Sequence, residues 1–173
     1  ALRRRSRELD MRYKQVYCLY AMSRLKGGPG AGLKAILGGI VALIPPALQY
    51  PEIACARLTY QGTVFQSAGF QETEWSLKQP VKVSEPGKSE VEVFYTEKRS
   101  SAHEGPFLVE ECTFLRVIAE QVGEIIELKQ AEKELEEARE REMEIGSRIQ
   151  ETLLLGAPPE NLSGIRVAAM TVA

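Results

Sequence analysis

The stretch FLVEECTFLRVIAEQVGEIIELKQAEKELEEAREREMEIGSRIQETL, residues 107–153, decides the fold. It holds no proline, and Gly123 is its sole glycine before Gly146, so nothing breaks a helix over most of its length. The first half carries a broad apolar face, with Phe114, Ile118, Val122 and Ile125 beside Leu115, Ala119 and Ile126. Apolar residues three and four apart are what a helix docked on a core requires. From Leu128 the face narrows to a seam of Leu128, Ala131, Leu135, Ala138, Ile145 and Ile149, interrupted by Glu142. Alternation by three and four is the heptad rhythm of supercoiled helices. The pattern predicts a helix that starts inside a domain and leaves it as a coiled coil, a transmission rod.

Working outward, Gly105-Pro106 predicts a helix start with proline at the first helical position, where its missing N–H costs nothing. Glu110 and Glu111 follow in the first turn, on the side of the helix dipole that favours anions. From 129 to 144 nearly every residue is Glu, Lys, Arg or Ala, all strong helix formers, and Glu137 precedes Arg141 by four positions. A long single helix is marginal alone, so dimerisation through this segment is expected, on Leu128, Leu135, Ala138, Ile145 and Ile149.

Upstream, residues 1–26 read as a first helix with an amphipathic stripe of Leu9, Arg12, Tyr13, Val16, Tyr20 and Leu25 and an arginine cluster at its outer end. A glycine-rich turn at 26–32 leads to a second helix at about 32–44, stopped by Pro45-Pro46. Periodicity then becomes strand-like. Strands are predicted at 52–60, 63–67, 75–83 and 90–96, with turns at Gln61-Gly62 and Pro86-Gly87. Pro80 marks the third strand as an edge or a bulge. A polar loop at 98–105 feeds the long helix. The fold class is α+β, an antiparallel sheet with helices packed on one side. Beyond 155, Gly156-Ala157-Pro158-Pro159 breaks the helix and a new apolar strand begins at 164–172. Both ends read as cut from a longer protein.

Composition narrows the function. The 173 residues are 44% hydrophobic and 27% charged, the balance of a soluble globular chain, and a net charge of −2 gives no basis for nucleic-acid binding. No apolar run reaches membrane-spanning length, and the basic N-terminus lacks the apolar region of a signal peptide. Cys18, Cys55 and Cys112 lie in apolar patterns without ligand spacing and read as reduced thiols of a cytoplasmic protein. The sequence Gly32-Leu33-Lys34-Ala35 fails the phosphate-loop pattern, which ends in Gly-Lys-Ser/Thr. His103, the single histidine, sits in a polar loop, and the long helix has none to serve as a phosphoacceptor. No carboxylate pair falls in an identifiable cleft, so this segment is expected to be non-catalytic and metal-free.

Two resemblances sharpen this. The run Leu43-Ile44-Pro45-Pro46-Ala47-Leu48-Gln49-Tyr50-Pro51-Glu52-Ile53, then Cys55-Ala56-Arg57, is similar to a subgroup of GAF sensor domains of bacterial signalling proteins. Val91-Glu92-Val93-Phe94-Tyr95, Glu104-Gly105-Pro106-Phe107-Leu108 and Ile118-Ala119-Glu120 fit the same subgroup, which covers about residues 5–130. The resemblance implies a small-molecule pocket between sheet and covering helix, for which Phe65, Phe70, Trp75 and Tyr95 are the candidate lining residues. The Asn-Lys and Asp-Glu residues of cyclic-nucleotide-binding members are absent.

The tail, Ile149-Gln150-Glu151-Thr152-Leu153-Leu154, Pro158-Pro159 and Gly164-Ile165-Arg166-Val167-Ala168-Ala169, resembles the entry to SpoIIE/RsbU-type serine/threonine phosphatases. That implies a manganese- or magnesium-dependent domain following this chain and a phosphoprotein as its substrate. No aspartate follows Asp10, so none of that family's metal ligands lies here. The expected organisation is an N-terminal helix for dimerisation and input at 1–26, a GAF-like core at 27–127, a coiled-coil linker at 128–155 and the start of a phosphatase domain at 156–173, with the homodimer formed through the terminal helices. A homodimer that senses an unknown ligand and controls the phosphatase is the leading expectation. The alternatives are a ligand-free interaction module and a GAF domain with another output, such as a nucleotide cyclase.

Overall fold

The computed structural model describes residues 2–26, 31–84, 87–100 and 102–155. Helix α1 spans Leu2–Lys26 and α2 Leu33–Leu43, and short 3-10 turns follow at Pro45–Ala47 and Pro51–Ile53. Strands β1 (Ala54–Tyr60), β2 (Thr63–Gln66), β3 (Ser76–Pro80) and β4 (Glu90–Tyr95) come next, then helix α3, Val109–Leu155. The chain forms two units, Ala1–Gln130 and Ala131–Ala173.

In the first unit the strands make one antiparallel sheet in the order β2-β1-β4-β3. Gln61 (φ 48°) and Gly62 (φ 76°) both take left-handed backbone between β1 and β2, as a two-residue hairpin whose turn must match strand twist requires. Pro80 closes β3, an edge strand, where a missing ladder N–H is tolerated.

One sheet face is apolar and packs on the helices. Ala56, Leu58 and Tyr60 of β1, Leu77 of β3, and Val91, Val93 and Tyr95 of β4 share a core with Ile36, Leu37, Ile40 and Val41 of α2. Helix α3 adds Phe114, Leu115, Ile118, Ala119, Val122, Ile125 and Ile126, the broad face foreseen from spacing. Each large side chain buried this way contributes about 1.5–3 kcal/mol. Gly123 lies on the same face because a Cβ there would stand 2.6 Å from the Lys82 carbonyl oxygen. The sheet connection therefore rests directly on the helix backbone.

Two expectations need correction, and α1 calls for an addition. Pro106 is not the first helical residue. Gly105 (φ 58°) and a bridge between Glu104 and Phe107 make a tight turn there, and α3 begins at Val109. The α1 stripe faces outward: Met11, Cys18 and Met22 point into the core, whereas Leu9, Tyr13, Val16 and Tyr20 are exposed and of that stripe Leu25 packs on the core. Leu25 meets α2 at a glycine: its side chain reaches to 3.0 Å of the place a Cβ on Gly39 would occupy. Strand β1 starts at Ala54, since Pro51–Ile53 forms a 3-10 turn. The Pro86 turn, the 27–30 glycine segment and the strand expected at 164–172 lie outside the described residues.

Candidate functional site

Two surfaces and one buried cluster carry the polar and apolar side chains not consumed by the core. The first surface is on α3. Residues 131–151 are exposed throughout, so the apolar seam is open to solvent, with Leu135 53%, Ile145 58% and Ile149 54% exposed. Leu128, in the first unit, is 40% exposed. Helix α1 presents a shorter stripe of the same rhythm, Leu9, Tyr13, Val16 and Tyr20, spaced four, three and four. Both helices thus expose an apolar stripe at a spacing of three and four.

The sheet face opposite the helices holds a row of charges. Strand register sets Arg57 against Glu92 and Glu92 against Lys78. Glu92 is fully buried, its Oε2 2.5 Å from Arg57 Nε and its Oε1 2.5 Å from Lys78 Nζ. Arg57 also donates to both oxygens of Glu72, at 2.8 and 3.1 Å. Burial alone would raise the Glu92 carboxyl, but hydrogen bonds from Arg57 and Lys78 outweigh it and hold it below the usual carboxylate range. Bonding to Glu92, then to Glu72, raises Arg57 in turn. The guanidinium lies over the rings of Phe70 and Phe94, 5.4 and 5.2 Å from their centroids. Every charge in this row is answered within it, which makes it a fixture of the sheet.

The buried cluster surrounds Glu111, in the first turn of α3 and fully buried. Its Oε1 accepts the Tyr95 hydroxyl at 2.5 Å and the Gln49 N–H at 2.8 Å, and its Oε2 accepts the Leu108 N–H at 2.8 Å. The last of these is the backward-reaching half of a capping box, which satisfies a helix N–H that has no partner within the helix. Tyr95 stacks on Phe107 and meets Tyr50 edge-on, at centroid distances of 4.6 and 5.5 Å. Burial, and then the neighbouring Glu111 charge, push the Tyr95 phenol well above its ordinary value. It is a fixed donor at any physiological pH.

The four aromatic residues proposed to line a pocket do not all share one face of the sheet. Tyr95 and Phe65 lie on the helix-facing side of the sheet, Phe65 opposite Leu58 across the β1–β2 pair. Trp75 borders the core beside β4, its carbonyl accepting the Tyr95 N–H at 3.0 Å. Phe70 sits on the opposite face, edge-on to Phe94 at 5.3 Å. The seam residues Leu128, Leu135, Ala138, Ile145 and Ile149, by contrast, are all exposed.

Sequence reasoning missed both Glu111 as a buried joint and the burial of Glu92. The first had a signal, a glutamate three residues after Leu108 at a helix start; alternation alone assigns Glu92 to the outer face.

Cys18 and Cys55 are buried and Cys112 is half-buried, all free, and burial pushes the Cys18 thiol up to about 12. His103 is exposed, its N–H bonded to the Phe107 carbonyl at 2.8 Å. Among the described residues no three His, Cys, Asp or Glu gather to hold a metal ion, and no helix is long and apolar enough to cross a membrane. No protein-family model, curated protein or solved structure matches the chain.

Proposed function

We propose that this chain is a regulatory module which dimerises through its terminal helices and passes conformational change along α3 to an output domain. The single observation that carries this is the exposed heptad seam on a 47-residue helix whose first half is buried in an α+β core. A helix rooted in a core at one end and open along its seam at the other links the two. The GAF-like sequence runs support a sensor role for residues 27–127, and the phosphatase-like tail supports a serine/threonine phosphatase as the output. Under this reading 128–155 is the coiled coil, and an input shifts the pairing of two such helices by a few kcal/mol, enough to invert a two-state population.

A ligand-free scaffold is the second reading. It is favoured by the commitment of Tyr95 to Glu111, Phe107 and Tyr50, and by the placement of Phe70 on the other sheet face.

Native mass spectrometry at low micromolar concentration tests both. A dimer carrying a few hundred extra daltons (order of magnitude for a small-molecule ligand) supports the sensor. An empty dimer supports the scaffold. A monomer overturns dimerisation and the transmission reading with it.

A further inference from the structure

The charges beside the α3 seam are sorted by sign along the helix. With Leu128, Leu135, Glu142 and Ile149 as a positions, and Ala131, Ala138 and Ile145 as d positions, the flanking e positions are Glu132, Arg139 and Gly146. The flanking g positions are Glu127, Glu134, Arg141 and Arg148. The flank is thus acidic through 134 and basic or neutral from 139 onward.

Two copies paired in parallel and in register set each g residue against the e residue five positions on in the other copy. Glu127 then meets Glu132, Glu134 meets Arg139, and Arg141 meets Gly146. Glu142 also meets its own copy inside the seam. Turned end for end, g faces g and e faces e. Layering Leu135 on Ala138, Leu128 on Ile145 and Ala131 on Glu142 sets Glu127 against Arg148, Glu134 against Arg141 and Glu132 against Arg139. Symmetry gives each pair twice, and no like charges meet. Glu142 faces the small Ala131, past which its carboxylate reaches solvent. The pattern is complementary to its own reverse, which identifies the occupant as a second copy of this helix.

We propose that the chain self-associates through an antiparallel pair of α3 helices, with position 131 of one copy opposite position 142 of the other. This rests on the proposed self-pairing of the seam and adds its direction and register. The exposed contacts already made within the helix, Lys133 to Glu137 at 3.7 Å, Arg148 to Glu144 at 2.9 Å and Arg141 Nε to the Glu137 carbonyl at 3.0 Å, are of the readily exchanged surface kind.

Cysteine cross-linking of the full chain tests direction. Ala131→Cys and Glu142→Cys are prepared separately, mixed and oxidised, with the unsubstituted chain as the blank. The antiparallel register predicts a disulfide between the two variants and none within either alone, because each site is then about 16 Å along the axis from its own copy. A self-linked Ala131→Cys or Glu142→Cys overturns the direction while leaving self-association intact. A dimer mass with no cross-link in any mixture overturns the register. A monomer mass overturns the dimer itself and, with it, the functional reading.

Charge reversal supplies a second readout. Glu134→Arg should weaken self-association roughly ten-fold, and adding Arg141→Glu should restore it to within about two-fold. A parallel pair cannot be rescued this way, since position 141 there faces Gly146. Failure of rescue overturns the proposal.

Discussion

Arg57 and Glu92 are direct cross-strand partners whose side chains meet at 2.5 Å on the sheet face that the helices leave uncovered. Removing the carboxylate leaves a half-buried guanidinium with only the exposed Glu72 to answer it. Glu92→Ala should therefore destabilise the fold by about 3 kcal/mol, read from urea unfolding. Wild-type stability in that variant would show the row to be ornamental.

The same pair sets an acid response. Glu92 is held below its ordinary value of 4.5, so its contribution is fully present above that pH and lost as pH falls through the lower folded-state value. Melting temperature should decline from about pH 4.5 downward. Glu92→Gln should flatten that segment of the curve, and an unchanged slope would assign the acid response to other carboxylates.

Tyr95→Phe removes one donor to Glu111 and should cost about 1–2 kcal/mol. Glu111→Ala strands the Tyr95 hydroxyl and the Gln49 and Leu108 N–H groups together, and should cost about 3 kcal/mol or more. A double-mutant cycle between the two positions should return a coupling of roughly 1 kcal/mol. Additive costs would mean that the hydroxyl and the carboxylate act independently.

One substitution should have opposite signs at two glycines of the same helix. Gly123→Ala drives a methyl into the Lys82 carbonyl and should destabilise by about 1–3 kcal/mol. Gly146→Ala meets nothing within 4 Å and should stabilise the helix by up to about 1 kcal/mol. Thermal melts followed by circular dichroism decide both.

Replacing Glu142 with leucine completes the apolar seam and should raise the melting temperature of the helix pair in a concentration-dependent way. Unchanged melting would count against coiled-coil pairing at 128–149.

Most of the architecture was legible because hydrophobic spacing is a direct image of burial. The triplet-and-quartet rhythm of 114–126 located the docked face of α3, and Gln61-Gly62 located the β1–β2 hairpin. Helix α1 was read only in part for a physical reason: it has two apolar faces, and spacing cannot tell which meets the core and which is left for a partner. Met11, Cys18 and Met22 take the core, and the longer stripe does not. The start of α3 was misplaced because a proline near a helix start fits both the first turn and the turn that precedes it. Glu92 reads as an ordinary outward residue of an alternating strand. Its burial depends on Arg57 and Lys78 in neighbouring strands and on the loop that brings Phe70 over them, and local sequence does not encode such distant partners. Spacing also marked the seam residues as one apolar stripe of α3, which stands exposed in the single chain.

The Glu111 carboxylate also limits how α3 can move. It grips Gln49, Tyr95 and its own helix start at once, while twelve residues further on the Lys82 carbonyl presses on Gly123. A piston-like slide of the helix along its axis would break the bonds to Gln49 and Tyr95 and drive neighbouring side chains into that carbonyl. Such anchorage opposes axial travel of α3 against its core, so under the proposed reading a signal would pass as twist of the helix and not as a slide. Under the proposed relay a stimulus would pass as torque, its strength set by how firmly one buried carboxylate holds the pivot.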